Sequence, residues 1–196
     1  MNTRLVILDR DGTINRASDV FVKSPQEWEP LPGALQAIGR LGHAGVHVVV
    51  ATNQSGLGRG LLDMAAVNAV HAHMQRQLAA AGGRIDAVFL CPHAPDEGCQ
   101  CRKPAPGLLL QIGERYGVDL AQVPYVGDSL RDMQAAHAAG CMPHLVCTGR
   151  HADLAHLAGQ LAPEPFPPGT RVHANLADCV AHLLGETPEP VSESRP

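Results

Sequence analysis

Arg4-Leu-Val-Ile-Leu8 runs straight into Asp9-Arg10-Asp11-Gly12-Thr13. The apolar run has the length and unbroken hydrophobicity of a strand buried on both faces, and it delivers two carboxylates to its own carboxyl end. Val46-His-Val-Val-Val-Ala51 is a second such run, β-branched and ended by Thr52-Asn53. Ala87–Cys91, Val123–Val126 and His144–Cys147 read as three more. Helical patterns lie between them. One opens at Pro32-Gly33-Ala34 and runs to Leu41; another is capped by Asp63 and reaches Ala81. Ala105–Tyr116, Asp132–Ala139 and Leu176–Leu184 complete the set. Gly42, Gly82-Gly83, Gly117 and Gly140 supply the left-handed stops. Strands alternating with helices predict βαβ units and a parallel sheet, with the site at the strands' carboxyl ends. The four prolines between Gly159 and Gly169 predict a loop.

The chain has 196 residues, 45% hydrophobic and 17% charged, with a net charge of −4. This predicts one folded domain over residues 1–185 and a disordered, Pro-rich tail over 186–196. An acidic balance and 3% aromatic residues argue against phosphate-tracking or base-stacking nucleic-acid binders. No apolar run has the length of a membrane span, and the first apolar stretch is too short for a signal peptide. The expectation is a cytoplasmic protein. In a reducing compartment the crowded Cys91, Cys99 and Cys101 read as metal-binding or catalytic, and Cys141, Cys147 and Cys179 as small core hydrophobes.

Chemistry collects at the strand tips. Asp9 and Asp11, two apart, face one ligand. A calcium loop is excluded because its twelfth position is Val20 rather than glutamate. Thr52-Asn53-Gln54-Ser55-Gly56 offers hydroxyls and amides to phosphate oxygens. Arg102-Lys103-Pro104 places cations just before a helix start, against the macrodipole, and such a local conflict hints at function. Gly127-Asp128-Ser129-Leu130-Arg131-Asp132 brings another acid to a tip.

These four motifs, in this order, resemble those of the haloacid dehalogenase-like phosphatases. The resemblance implies a Rossmann-like three-layer α/β sandwich with a central, mainly parallel sheet and no large cap domain. It implies that Asp9 is the nucleophile and Asp11 the general acid/base. Mg²⁺ would be held by Asp9, Asp128 and the backbone carbonyl of Asp11, and Thr52 and Lys103 would stabilise the phosphoryl group. A phosphoryl group among Asp9, Asp11, Asp128 and Asp132 needs such cations. A neighbouring carboxylate would lift Asp11 toward its proton-donating task. Asp132, one turn past Asp128, either orients Lys103 or a metal-bound water or caps its helix.

Cys91-Pro92-His93, five residues, then Cys99-Gln100-Cys101 supplies three thiolates and an imidazole, a closed tetrahedral zinc set that would make a zinc-bound loop. With no open position the zinc would be structural, pinning Arg102 and Lys103. This loop narrows the resemblance to the histidinol-phosphatase and heptose-bisphosphate phosphatase branch, closest on Thr52–Gly60 and Cys101–Pro104 to the heptose enzymes. That implies removal of the 7-phosphate of D-glycero-D-manno-heptose 1,7-bisphosphate, on the route to ADP-heptose for lipopolysaccharide. Substrate contacts would fall on Ala17, Ser18, Asp19, Val20, Thr52, Asn53, Gln54, Ser55, Arg102 and Lys103.

Arg102 is the candidate that grips the second phosphate in a bidentate fork, with Arg59 beside it. The expected partner is a small sugar bisphosphate, neither nucleic acid nor membrane, acted on by a monomer. Rival functions are a histidinol-phosphate phosphatase, a nucleic-acid 3′-phosphatase and a non-catalytic zinc-binding module. His71, His73, His137, His151, His156 and His182 read as surface or satisfied residues.

Overall fold

The computed structural model describes residues 4–18 and 21–186. Asp19, Val20 and the tail over 187–196 lie outside the described residues. The strands are β1 (Leu5–Leu8), β2 (His47–Asn53), β3 (Ala87–Cys91), β4 (Pro124–Gly127), β5 (Met142–Val146) and β6 (Arg171–His173). The helices are α1 (Ala34–His43), α2 (Met64–Ala80), α3 (Gly107–Tyr116), α4 (Leu130–Ala139) and α5 (Leu176–Leu184). All six strands run parallel in the order β3-β2-β1-β4-β5-β6. The order reverses between β1 and β4, the crevice where sheets of this type bind ligands.

The strands' two faces serve two cores. Val6, Leu8, Val48, Val50, Val126 and Val146 pack with α1, α2 and α5; Ile7, Val49, Ala51, Tyr125, Leu145 and Val172 pack with α3 and α4. That three-layer arrangement is why the runs are apolar throughout rather than alternating. Asp63 caps α2 through Ala66 N, and Gly117 and Gly140 end α3 and α4 in left-handed geometry.

Several boundaries differ from expectation. Gly42 lies inside α1, which continues to His43; the left-handed residue that turns the chain is Gly45, φ 72°. The fourth helix starts at Leu130, capped by Ser129, one turn's fraction before the expected Asp132. The third begins at Gly107, so Lys103 stands upstream in the loop and the supposed conflict with the dipole does not arise. β6 has three residues and follows the Pro-rich loop; it was not expected, because so short an edge strand carries little periodicity. Between β1 and α1 there is one 3-10 turn, Pro25–Glu27, and the described residues form no cap domain. Among them, no helix is long and apolar enough to cross a membrane.

Candidate active site

Asp9 follows β1 directly, Thr52 and Asn53 end β2, and Asp128 follows β4, so the switch point gathers them. A cavity of about 270 Å³ opens there. Its floor holds Asp9, Asp128, Lys103 and Asp132; Ala17, Ser18, Thr52, Asn53, Gln54 and Ser55 form walls, and Arg59, Arg102, Arg131 and Arg150 also line it.

Lys103 is 3% exposed, and its Nζ lies 2.7 Å from Asp9 Oδ1 and 2.6 Å from Asp132 Oδ1. It also donates to Ala51 O at 3.0 Å and the Tyr125 hydroxyl at 2.9 Å. Burial alone would lower the ammonium, but the paired carboxylates of Asp132 and Asp9 outweigh it and raise it to about 12. Asp132 has both expected jobs at once. Its Oδ1 meets Lys103 and accepts from Tyr125, while Oδ2 accepts from Ser129 N and Oγ in a capping box. Tyr125 was missed; a hydroxyl on a fully buried strand requires a partner, and that was the available signal.

Burial pushes Asp9 up to about 8; Lys103 opposes this, and Asp132 and Asp128 reinforce it. Asp128 rises to about 6 for the same first reason, helped by Asp132. Three carboxylate oxygens from Asp9, Asp128 and Asp132 lie within 4.8 Å of one another. One ammonium cannot neutralise three buried carboxylates, so the oxygen donor set fits a hard divalent cation. Asp128 is positioned by glycines. A Cβ on Gly12 would fall 2.3 Å from its Oδ2, and one on Gly149 only 1.9 Å away. Gly149, Thr148 (whose Oγ1 donates to Gly12 O at 2.8 Å) and Arg150 were also missed. They follow β5, whose tip carries no acid to draw attention.

Asp11 has other surroundings than expected. Among the described residues its side-chain partners are nitrogen donors: Arg10 Nη2 donates to its Oδ2 at 2.8 Å, Asn15 Nδ2 to Oδ1 at 2.8 Å and Gln54 Nε2 to Oδ2 at 3.1 Å. Arg10 is itself buried, with Nη1 3.1 Å from His71 Nε2. Burial and the guanidinium push His71 down to about 4, so the neutral ring accepts. Asn53, in the cavity wall, pairs its amide with Lys103 N and O at 3.1 Å each. Thr52 Oγ1 accepts from Gln54 Nε2 at 3.0 Å.

The four expected zinc ligands converge. Cys91, Cys99 and Cys101 sulfurs stand 3.2–3.6 Å apart, and His93 Nδ1 lies 3.5 Å from Cys91 and 3.3 Å from Cys101. These are close to the edges of a tetrahedron around a zinc-sized ion, so the S₃N set fits one. Gly58 N donates to Pro92 O at 2.8 Å and Gly107 N to Gln100 O at 3.0 Å, docking the loop between β2's tip and α3.

The HAD-hydrolase-like family description matches residues 100–179. A D-glycero-beta-D-manno-heptose-1,7-bisphosphate 7-phosphatase of Bordetella bronchiseptica is 57% identical, covering 93% of this chain and 99% of the relative. Its namesake from Pseudomonas aeruginosa is 47% identical over 94% and 99%. The crystal structure of a D,D-heptose 1,7-bisphosphate phosphatase from B. bronchiseptica, complexed with magnesium and phosphate, superposes with a TM-score of 0.87 at 56% identity, covering 94% of this chain and all of that one. At such identity over nearly whole lengths, the chain belongs to the haloacid dehalogenase-like hydrolases and, within them, to the D-glycero-β-D-manno-heptose-1,7-bisphosphate 7-phosphatase family of phosphoric monoester hydrolases.

Proposed function

We propose that the chain hydrolyses the 7-phosphate of D-glycero-β-D-manno-heptose 1,7-bisphosphate in a magnesium-dependent reaction, in the cytoplasmic route to ADP-heptose and lipopolysaccharide core. The observation that carries this reading is one cavity with two kinds of wall. Carboxylates and Lys103 lie at the floor, and Arg59, Arg102, Arg131 and Arg150 line the same space. An anion at the floor and a second held by guanidinium forks is a bisphosphate pattern. A cationic histidinol phosphate would meet like charge there, which disfavours that reading. The β-anomer is preferred because the relatives named above carry it in their names.

Asp9 attacks phosphorus, forming an aspartyl phosphate while the sugar oxygen leaves. Lys103, already paired with Asp9, meets the phosphoryl oxygens with its charge, and Thr52 donates from the β2 tip. Asp11 gives the leaving oxygen its proton and then takes one from the water that cleaves the acyl phosphate. To do so its carboxyl turns away from Arg10, Asn15 and Gln54, which hold it between turnovers. Bound between Asp9, Asp128 and the Asp11 backbone carbonyl, Mg²⁺ supplies Lewis-acid neutralisation of the phosphoryl charge. Cys91, His93, Cys99 and Cys101 would hold a zinc ion in a structural part, fixing the loop that presents Arg102 and Lys103.

A phosphate-release assay with and without Mg²⁺ tests the reading. Its panel holds both anomers of heptose 1,7-bisphosphate, histidinol phosphate and a 3′-phosphorylated oligonucleotide. The highest kcat/KM is expected for the β-bisphosphate; a preference for histidinol phosphate would overturn the assignment.

A further inference from the structure

A second cluster of metal-binding side chains sits toward the opposite edge of the sheet from Cys91. Parallel pairing sets His144 opposite Arg171 and Val146 opposite His173, so both histidines face the α5 layer. They are 6% and 4% exposed, and His144 Nδ1 lies 2.9 Å from His173 Nε2. From α5 the fully buried Cys179 points at the pair; one ligand atom from each of the three residues falls within 4.8 Å of the others. His182, one turn on from Cys179 and therefore on the same helix face, brings a third ring to 5.3 Å from His173 and 5.9 Å from His144. Its exposure gives the cluster a side open to water.

We propose that this cluster is a second, structural metal site, taking a borderline-soft divalent ion of the zinc class on His144, His173 and Cys179, with His182 as the closing ligand. A hydrogen-bonded imidazole pair accounts for two of the four groups and leaves the thiol and the third ring idle. The layer around them is apolar, built from Val146, Leu176 and Val180, and polar rings placed there cost free energy unless they are engaged. The ion displaces the Cys179 thiol proton, and one ring changes tautomer so that both facing nitrogens become ligands. Imidazole with thiolate selects zinc-like ions over magnesium. β6 is a three-residue edge strand, and such an ion would staple it and α5 to β5.

The test uses the full chain, loaded with zinc, desalted and analysed for metal. Wild type should hold one more zinc than either Cys179→Ala or His173→Gln, whatever the Cys91 set contributes; Cys99→Ser/Cys101→Ser should keep that extra ion. His182→Ala, at an exposed position that leaves folding undisturbed, should release it to a chelator at an affinity at least about tenfold weaker. Amide exchange over 171–184 should quicken in each variant of this cluster. Equal zinc content in wild type, Cys179→Ala and His173→Gln would overturn the proposal, as would chelator resistance unchanged by His182→Ala.

Discussion

Lys103 Nζ lies 2.6 Å from Asp132 Oδ1, an ion pair joining a loop to the first turn of α4 with both side chains almost fully buried. Asp132 thereby aims the ammonium at Asp9 while capping the helix that follows Asp128. Asp132→Asn should cost about 1.5–3 kcal/mol, the worth of a charge-assisted hydrogen bond, because Lys103 keeps Asp9 as counter-ion. It should also lower kcat on every substrate alike. Denaturant unfolding and steady-state kinetics on the same variant check both effects.

Asp9→Asn should abolish turnover and leave the melting temperature near that of the metal-free wild type, since the amide keeps the shape of the carboxyl. Asp11→Asn should still form phospho-enzyme from an aryl phosphate, whose leaving group needs no proton. Trapping of labelled phosphate on Asp9 separates the two variants.

Magnesium affinity should depend steeply on pH. Asp9 at about 8 and Asp128 at about 6 hold protons that Mg²⁺ must displace, so binding strengthens as pH rises from 6 to 8.5 and releases protons. The metal-free fold has the opposite sign. It binds more protons than the unfolded chain between about pH 4 and the raised values, so its stability falls as pH rises through that window. Titration calorimetry in buffers of different ionisation enthalpy reads the released protons, and no buffer dependence would contradict the shifts.

Arg102→Ala should raise KM for the bisphosphate and lower its kcat/KM by roughly 10- to 150-fold while scarcely affecting small monophosphates. Arg131→Ala should act in the same sense. Lys103→Ala should damage all substrates, since its charge meets the reacting group. The ratio of bisphosphate to monophosphate kcat/KM decides the matter, and an unchanged ratio in Arg102→Ala would make that residue a loop anchor.

Cys99→Ser/Cys101→Ser should lose one zinc per chain. A metal-linked stabilisation of about 2.7 kcal/mol would correspond to a melting temperature lower by about 5–10 °C. Differential scanning calorimetry with metal analysis checks it, and unchanged zinc content would sink the reading of that loop.

The sequence by itself determined the parallel α/β architecture and which side chains gather at the strand tips. Runs such as Arg4–Leu8 and Val46–Ala51 are apolar on both faces, which only a parallel sheet covered twice can bury, and each hands its motif to a carboxyl end. The Cys91–Cys101 spacing is equally local, so the convergence of its three thiols was legible. Tertiary structure alone decided which polar atoms are spent inside the protein. Asn53 turns to the Lys103 backbone and Asp11 accepts from Gln54, choices set by neighbours far along the chain. Tyr125, Gly149 and the pairing of His144 with His173 were hidden for the same reason. Each owes its role to a contact across the sheet or between loops, and a contact between strands leaves no periodic mark on either one.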